Sequence, residues 1–306
     1  MTAVLGIDIG GTKIAGGIVT DKGAVLGDQT VPSRAKEGRD AVLGQLSILI
    51  GNLTAQATED ITAIGIGTAG EVDPGRGAIT SATDNIPGWT GTPLAEICRR
   101  EWGLPCSVDN DGNAAALGEL WFGAGRDFHY FVYISLGTGV GGAVIDGGRL
   151  LRGHGNFAAA LGHTTIDYGG RSCNCGSTGC LETYVSGTAG TALARELGAA
   201  DSGRELLQKA RAQDLHAQTL MEDIGRYLGV GLANFVNLFN PEAIVVGGGL
   251  GEAGDLLLRP AEVTMNQRVL QGLRGRTRLL ATALGNRAGF MGGAVLALSS
   301  LGRARP

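Results

Sequence analysis

Residues 4–20 read VLGIDIGGTKIAGGIVT, two apolar runs that flank the turn Gly10-Gly11-Thr12-Lys13. The first run has the length and composition of a buried strand, and the glycines end it as a turn. Asp21-Lys22-Gly23 and a further short apolar run follow, a pattern that predicts a hairpin. The glycine turn therefore opens onto a strand. Dinucleotide folds and P-loops place their glycines before a helix, and neither of their motifs is present at this turn.

Residues 131–145 read FVYISLGTGVGGAVI and repeat the design of strand, Gly-Thr turn and strand. Two copies of one design indicate an internally duplicated α/β fold, with two α/β domains flanking a cleft. We expect residues 1–118 to form the smaller N-terminal domain, completed by a C-terminal helix at about 289–306, and residues 119–288 to form the larger domain. No Pro/Ser-rich linker separates them in the sequence, so the boundary is expected inside structured chain, near residues 113–125.

The composition describes an ordinary, mildly acidic α/β protein. The chain has 306 residues, of which 43% are hydrophobic and 18% charged, with a net charge of −4, and this balance argues against an electrostatic nucleic-acid partner. Glycine is the exception, because 54 residues are more than twice the usual share of about 7% and imply many tight turns. The sequence has no secretory leader, and its longest apolar run is broken by glycines, so we expect a cytoplasmic protein without a membrane segment.

Three of the five cysteines lie close together, at Cys173, Cys175 and Cys180, and His163 stands ten residues before the first of them. Together they provide the four nitrogen and sulphur donors of a closed tetrahedral zinc site. The alternative, three idle thiols and a surface histidine, is uncommon in a chain with so few cysteines. We interpret the segment as a structural zinc loop; a hydrolytic zinc is disfavoured because four such ligands leave no position open for water.

Several motifs in combination closely resemble the ROK family, which contains bacterial sugar kinases and transcriptional repressors. The resemblance runs from residue 4 to about residue 298 and implies an actin-like, hexokinase-type fold that closes on sugar and ATP. Repressor members carry a DNA-reading domain before the first strand, which here begins by residue 4, so the kinase branch is expected. Family members commonly pair, which implies a homo-oligomer, a dimer or tetramer. The motifs are Asp8-Ile9-Gly10-Gly11-Thr12-Lys13, Asn110-Asp111, Leu136-Gly137-Thr138-Gly139-Val140-Gly141-Gly142, Gly162-His163 and the segment from Cys173 to Glu182.

Two aspartates are the candidates for phosphoryl-transfer chemistry. Asp111 follows an apolar strand and precedes a predicted helix, where it could simply cap that helix at Asn113. The resemblance instead implies that Asp111 is the general base that takes the proton of the sugar hydroxyl. Asp8 ends the first strand, and its alternative is a turn-forming aspartate. The resemblance implies that its carboxylate helps to place Mg²⁺ on the phosphates.

The resemblance also assigns the ATP contacts to three glycine turns. Backbone N–H groups of the first turn would approach the ATP phosphates, the second turn would close on the transferring phosphate, and the third would lie on the adenosine side. Ordinary hairpins and a strand-ending turn are the alternatives. The implied ATP-binding residues are Asp8, Gly10, Gly11, Thr12, Lys13, Thr138, Gly139, Gly247, Gly248 and Gly249.

Sugar contacts follow from the same resemblance. His163 would ligate zinc with one ring nitrogen and bond a sugar hydroxyl with the other. Glu182 would accept from a hydroxyl near the anomeric carbon, or be a solvated side chain at a helix start. The turn Asn85-Ile86-Pro87-Gly88-Trp89 is similar to a turn of glucokinase members and makes glucose the first expected substrate. The implied sugar-binding residues are Gly70, Thr83, Asn85, Asn110, Asp111, Gly139, His163 and Glu182.

The chain departs from the family just before the zinc histidine. Family kinases carry Gly-Glu where this chain has Ala159-Ala160, so an acceptor near the sugar 1- and 2-hydroxyls is missing. Its loss corresponds to about 1.5–3 kcal/mol, or roughly ten- to a hundredfold in affinity. Either the pocket tolerates variation at carbon 2, as for mannose or N-acetylmannosamine, or the site is impaired. We favour the first interpretation.

The sequence thus predicts ATP-dependent phosphorylation of a hexose at its 6-hydroxyl, most simply glucose, with ATP, Mg²⁺ and a structural Zn²⁺. Another hexose is the first alternative. A protein of a different class, which senses sugar without turnover, is the second, and the missing glutamate is its only support. The sequence does not separate ATP from polyphosphate as the phosphoryl donor.

Overall fold

The computed structural model describes residues 2–305 and divides them into two compact units. The first unit contains the chain up to Asp127, the short segment Arg152–Ala158 and the chain from Arg287 onward. The second unit contains Phe128–Leu151 and Ala159–Asn286.

The first unit is built on a five-stranded mixed sheet with the strand order β3-β2-β1-β4-β7. Strands β1, β2 and β3 pair antiparallel, as the hairpin pattern predicts, while β4 and β7 run parallel to β1. A separate two-stranded hairpin is formed by β5 and β6. The strands are β1 (Ala3–Ile9), β2 (Lys13–Thr20), β3 (Val25–Pro32), β4 (Ile61–Thr68), β5 (Glu71–Asp73), β6 (Ala78–Ser81) and β7 (Cys106–Asn110).

Helices connect the parallel strands of the first unit. Helix α1 (Arg39–Gln56) precedes β4, α2 (Leu94–Trp102) precedes β7, and α3 (Asp111–Phe122) follows β7 without a loop. The side chains that α1 buries include Leu46, Leu49 and Leu53, which belong to the same apolar core as the sheet.

The second unit repeats this arrangement with the order β10-β9-β8-β11-β12. Its first three strands are again antiparallel and its last two again parallel. The repeat agrees with the duplication inferred from the two Gly-Thr turns. The strands are β8 (Phe131–Leu136), β9 (Val140–Asp146), β10 (Arg149–Leu150), β11 (Ala243–Gly247) and β12 (Arg278–Ala281).

Five helices share one apolar core with the sheet of the second unit, and the longest of them, α7, contributes the most side chains to that core. Helix α8 packs closely on α7, because Gly225 lets Pro260 of α8 approach the α7 backbone. The helices are α4 (Glu182–Val185), α5 (Gly187–Glu196), α6 (Gly203–Arg211), α7 (Leu215–Phe239) and α8 (Asp255–Arg268).

The last helix, α9 (Ala288–Ser300), returns to the first unit and lies against β1, β4 and α3. The backbone of α9 directly contacts the backbones of α3 and β4. A Cβ atom on Gly292 would overlap the carbonyl group of Ala114 in α3, and one on Gly65 of β4 would overlap the carbonyl oxygen of Gly293. Only glycine permits so close an approach.

Among the helices formed by residues 2–305, none combines the length and the apolar character needed to cross a bilayer.

The tight contact of α9 with α3 gives the first prediction. Gly292→Ala should destabilise the protein by about 1–3 kcal/mol or more, because the added methyl group must displace the α3 backbone. Gly44→Ala is the matched control: Gly44 lies within α1 with open space around its Cβ position, so alanine should raise stability there by about 0.5–1 kcal/mol. Urea unfolding of both variants measures the difference, and a neutral Gly292→Ala would contradict the interpretation of the contact.

Candidate active site and metal centre

The parallel strands of the first unit, β1, β4 and β7, end side by side at one edge of the sheet. Ile9 of β1 lies opposite Thr68 of β4, which lies opposite Asn110 of β7. Because parallel strands carry their carboxyl ends to one edge of the sheet, the segments that follow them are neighbours. These segments contain the turn from Gly10 to Lys13, then Gly70, then Asn110 with Asp111.

Helix α3 is capped by Asn110 and not by Asp111. The Asn110 side-chain oxygen accepts from the N–H groups of Gly112 (2.9 Å) and Asn113 (3.2 Å), and its amide nitrogen donates to the Gly70 carbonyl at 3.0 Å. The capping role considered for Asp111 is therefore wrong. Much of the hydrogen-bonding capacity of Asn110 serves the protein itself, whereas Asp111 bonds the N–H of its own neighbour Gly112 at 2.8 Å.

Asp8 and Asp111 lie in the same electrostatic environment. The pKa of Asp8 is raised to about 7, chiefly by burial and also by the negative charge of Asp111, while Lys13 opposes the shift. Burial also raises the pKa of Asp111, while hydrogen bonds from Gly112 and Asn110 act against that rise. The carboxylate of Asp8 lies over Gly289 in the first turn of α9, where any side chain would collide with it. Hard carboxylate oxygens are the ligands that Mg²⁺ takes in proteins, so the Asp8 carboxylate is of the type that fits the ion predicted from the sequence.

A buried ion pair next to Asp111 was not found from the sequence. Asp109 is 1% exposed, and its carboxylate receives Arg152 at 2.6 and 3.3 Å, the Asn113 amide at 2.9 Å and the Asn110 N–H at 2.8 Å. A buried carboxylate needs such partners. The sequence signal that could have identified Asp109 is a charged residue at the end of an apolar strand. The sequence carries no such signal for Arg152, because it comes from a distant part of the chain.

The turn that contains Asn85 is anchored by its apolar residues. Ile86 and Trp89 are buried, and the Trp89 indole N–H donates to the Thr68 hydroxyl at 3.1 Å. Thr83 and Asn85 remain exposed beside this anchor. Their side chains are therefore accessible to a polar ligand.

In the second unit two glycine turns lie side by side. The turn from Gly137 to Gly139 is closed by a 3.0 Å hydrogen bond from the Gly137 N–H to the Gly139 carbonyl. Gly247 at the end of β11 lies opposite Ser135 in β8, and Gly248, with φ of 80°, lies against the backbone of Leu136. The structure thus places Gly247 and Gly248 beside Ser135 and Leu136, the end of the strand that leads into the turn from Gly137 to Gly139.

Glu182 extends to the turn between β8 and β9. Its carboxylate accepts from the Val140 N–H at 2.7 Å, and Gly139 has no room for a side chain because this carboxylate lies against it. The alternative of a solvated side chain at a helix start is therefore wrong, although Glu182 is indeed the first residue of α4.

The three thiols and His163 form one cluster, with all four ligand atoms within 4.8 Å of one another. The Cys175 and Cys180 sulphurs are 3.7 Å apart, and so are the Cys173 sulphur and the His163 Nδ1. Zn–S bonds of 2.3 Å in a tetrahedron would separate two sulphurs by about 3.8 Å. The donor set and its spacing fit a structural zinc ion. Because Nδ1 belongs to the cluster, Nε2 is the ring nitrogen of His163 left for another partner.

Ala159 has a left-handed backbone, with φ of 65°. The neighbouring Ala160 has an ordinary φ of −69°, is exposed, and accepts the His163 N–H at 3.0 Å. The backbone thus adopts a glycine conformation at the position where the family has glycine, although this chain carries alanine there. The missing glutamate leaves an exposed methyl group before the metal centre.

Both sheets, the duplicated topology and the strand-end turns define an α/β protein of the hexokinase type. The chain belongs to the ROK family, whose model matches residues 4–300.

Known relatives within the family include enzymes and regulators. A glucokinase of Streptomyces coelicolor is 36% identical over 316 residues, which cover 97% of this chain and 98% of the relative. The crystal structure of a ROK family glucokinase from Streptomyces griseus, in complex with glucose and AMPPNP, is similar with a TM-score of 0.86 and 34% identity, covering 97% of this chain and 99% of that one. A putative xylose repressor of Caldicellulosiruptor is 30% identical over 97% of this chain and 78% of its own length.

The metal centre gives the second prediction. The purified protein should contain one equivalent of zinc, and Cys175→Ser should lose it and unfold at a lower temperature, because the remaining three donors no longer close the tetrahedron. Cys106→Ser, which changes a thiol outside the cluster, should keep the metal. Elemental analysis with thermal unfolding measures both properties. Full zinc content in Cys175→Ser would contradict the assigned ligand set.

The backbone at Ala159 gives the third prediction. Ala159→Gly should stabilise the protein by about 0.5–1 kcal/mol, since glycine adopts a positive φ without the steric cost that alanine incurs. Ala160→Gly should have the opposite effect, because the only consequence there is a more flexible unfolded chain. The two neighbouring substitutions are compared by urea unfolding, and a change of the same sign in both would rule out strain at Ala159.

Proposed function

We propose that the protein is an ATP-dependent kinase that phosphorylates the 6-hydroxyl of a hexose, with glucose as its first substrate. One observation carries the proposal: Asp8 and Asp111 lie at the carboxyl edge of the first sheet, beside an exposed Gly-Gly-Thr-Lys turn, and both have raised pKa values. Similarity to two Streptomyces glucokinases supports it.

In this proposal Asp111 is the general base. Asn110 caps α3 and leaves the Asp111 carboxylate free of that task. Burial raises its pKa, so that it holds a proton more firmly than a solvated aspartate and is better suited to take one from a hydroxyl. The Gly112 N–H keeps one of its oxygens in a fixed orientation. The ion pair of Asp109 and Arg152 stabilises the end of β7, directly before Asp111.

The phosphates of ATP would be bound by backbone N–H groups. The residues expected to contribute these groups are Gly10, Gly11, Thr12, Lys13, Thr138 and Gly139, while Gly247, Gly248 and Gly249 would contact the adenosine. Asp8 would help to hold Mg²⁺, which when bound neutralises the charge that develops on the phosphates. Lys13 is exposed and adds a positive charge near the same turn.

The sugar would be held by neutral polar groups and by the metal centre. Thr83 and Asn85 have accessible side chains, and the Gly70 region is fixed by its hydrogen bond to Asn110. His163 would offer Nε2 to a hydroxyl while Nδ1 ligates zinc. One oxygen of Glu182 is bonded to Val140, and the other would accept a sugar hydroxyl.

Ala160 supports a second candidate, a kinase with relaxed recognition at carbon 2. A site that bonds a hydroxyl rejects analogues that lack it, so a chain without the acceptor should tolerate 2-deoxyglucose, mannose or N-acetylmannosamine. The same substitution is the only argument for a sugar-sensing protein without turnover. Polyphosphate as an alternative donor is tested in the same assay.

A coupled assay of ADP release with ATP and Mg²⁺, over glucose, 2-deoxyglucose, mannose and N-acetylmannosamine, tests the function. Turnover on at least one of these sugars is expected, with kcat/KM for 2-deoxyglucose within about tenfold of glucose if Ala160 relaxes recognition. A strong preference for glucose would contradict relaxation. Sugar binding by calorimetry without turnover on any sugar would favour the sensor, and a parallel series with polyphosphate examines the donor.

The role of Asp111 gives the fourth prediction. Asp111→Ala should lower kcat by about 10²–10⁴-fold, because it removes the carboxylate that takes the proton from the sugar hydroxyl. Asp255→Ala is the matched control, since Asp255 is also the first residue of a helix, α8, but is exposed and is not among the residues assigned to the site. Its kcat should equal that of the wild type. Retention of most of kcat by Asp111→Ala would eliminate Asp111 as the base.

A further inference from the structure

The turn from Gly137 to Gly139 is held from one side by the start of α5. The Gly187 N–H donates to the Gly137 carbonyl at 2.7 Å, and the Thr188 hydroxyl donates to the Thr138 carbonyl at 2.7 Å. Both are short, well-formed hydrogen bonds. Two successive carbonyl groups of the turn therefore point toward α5.

The orientation of these carbonyls fixes the orientation of the N–H groups between them. The peptide bonds within residues 2–305 are all trans, and a trans peptide carries its C=O and its N–H on opposite sides. The Gly137 carbonyl shares a peptide with the Thr138 N–H, and the Thr138 carbonyl shares one with the Gly139 N–H. Since both carbonyls face α5, both N–H groups face away from it.

The flanking N–H groups of the turn are already used. The Gly137 N–H donates to the Gly139 carbonyl, and the Val140 N–H donates to Glu182. In the part of the chain that the structure describes, the N–H groups of Thr138 and Gly139 have no such partner. Two adjacent N–H donors on one side of an exposed turn form a site for an anionic oxygen.

We propose that Thr188 is a positioning residue: by holding the Thr138 carbonyl it directs the Gly139 N–H, together with that of Thr138, toward a phosphate oxygen of the nucleotide. The inference rests on the proposed function and adds a residue outside the glycine turns to it. Thr188 makes this contact from the first turn of α5, whose cap is provided separately by Ser186, so its hydroxyl is not needed to start the helix. The donors are thereby oriented before the nucleotide binds, and binding does not have to reorient the peptide.

The experiment compares Thr188→Val, Thr188→Ser and Thr219→Val. Valine has nearly the shape of threonine but no hydroxyl, and serine restores the hydroxyl. Thr219 is the matched control, because its hydroxyl donates to a backbone carbonyl, that of Leu215, at a similar 2.8 Å but on the exposed surface of α7. Calorimetry measures the affinity for AMPPNP with Mg²⁺ and for adenosine, and the ADP-release assay measures kcat and the KM values for ATP and sugar.

Thr188→Val should bind AMPPNP about three- to tenfold more weakly than the wild type, the equivalent of one lost hydrogen bond. Its affinity for adenosine and its sugar KM should not change, and Thr188→Ser and Thr219→Val should resemble the wild type. Wild-type affinity and kcat in Thr188→Val would overturn the proposal. Equal weakening of AMPPNP and adenosine would also overturn it, since that result indicates a general disturbance. If valine prevents folding, Thr188→Ala is held to the same criteria.

Failure of this inference is distinct from failure of the proposed function. A wild-type protein that neither binds AMPPNP nor releases ADP with any sugar would remove the kinase proposal, and with it the role of Thr188. An active wild type with an unaltered Thr188→Val variant would remove the role of Thr188 alone.

Discussion

The first unit depends on the direct contact between the backbone of α9 and the elements beneath it. Gly6 and Gly65 in the sheet, and Gly292 and Gly293 in the helix, lie where any Cβ would overlap a neighbouring backbone atom. Close packing of this kind fixes the helix axis at a distance that side chains would not allow. As a result Gly289, at the start of the same helix, lies directly under the Asp8 carboxylate. The burial that raises the pKa of Asp8 therefore follows from the packing of the last helix.

Most of the fold could be predicted where local pattern and tertiary structure agree. Both hairpins, the parallel strands β4 and β11 and the helices α3 and α9 are encoded by apolar runs that end in turn residues. Strand β12 was missed because four residues at a sheet edge carry no clear period, and α8 because Pro260 interrupts the helical pattern. The segment from 152 to 158 belongs to the first unit through tertiary contacts such as the ion pair of Arg152 with Asp109, which local sequence does not encode.

In the candidate site, too, the sequence identifies the types of residue that are present but not the contacts that they make. The four clustered donor residues could be predicted from spacing, since three thiols and a histidine within eighteen residues are close enough in the chain to converge on one point. Roles that depend on hydrogen-bond partners could not be predicted from the sequence. Asn110 turned out to be the helix cap, Glu182 bonds the Val140 N–H, and Ala159 keeps a glycine conformation without glycine. Each of these outcomes is decided by a partner distant in sequence or by a backbone angle.

In the second unit one short segment, from Cys180 to Thr188, joins the metal centre to the turn from Gly137 to Gly139. Cys180 belongs to the cluster of three thiols and His163, Leu181 is fully buried against Gly231 of α7, and Glu182 accepts the Val140 N–H. Gly187 and Thr188 follow and hold the carbonyls of the turn. The buried Leu181 fixes this segment to the close-packed core between the cluster and the turn. A zinc ion held by this cluster would have no open coordination position and so no direct part in chemistry, but it would order the same stretch of chain that carries Gly187 and Thr188.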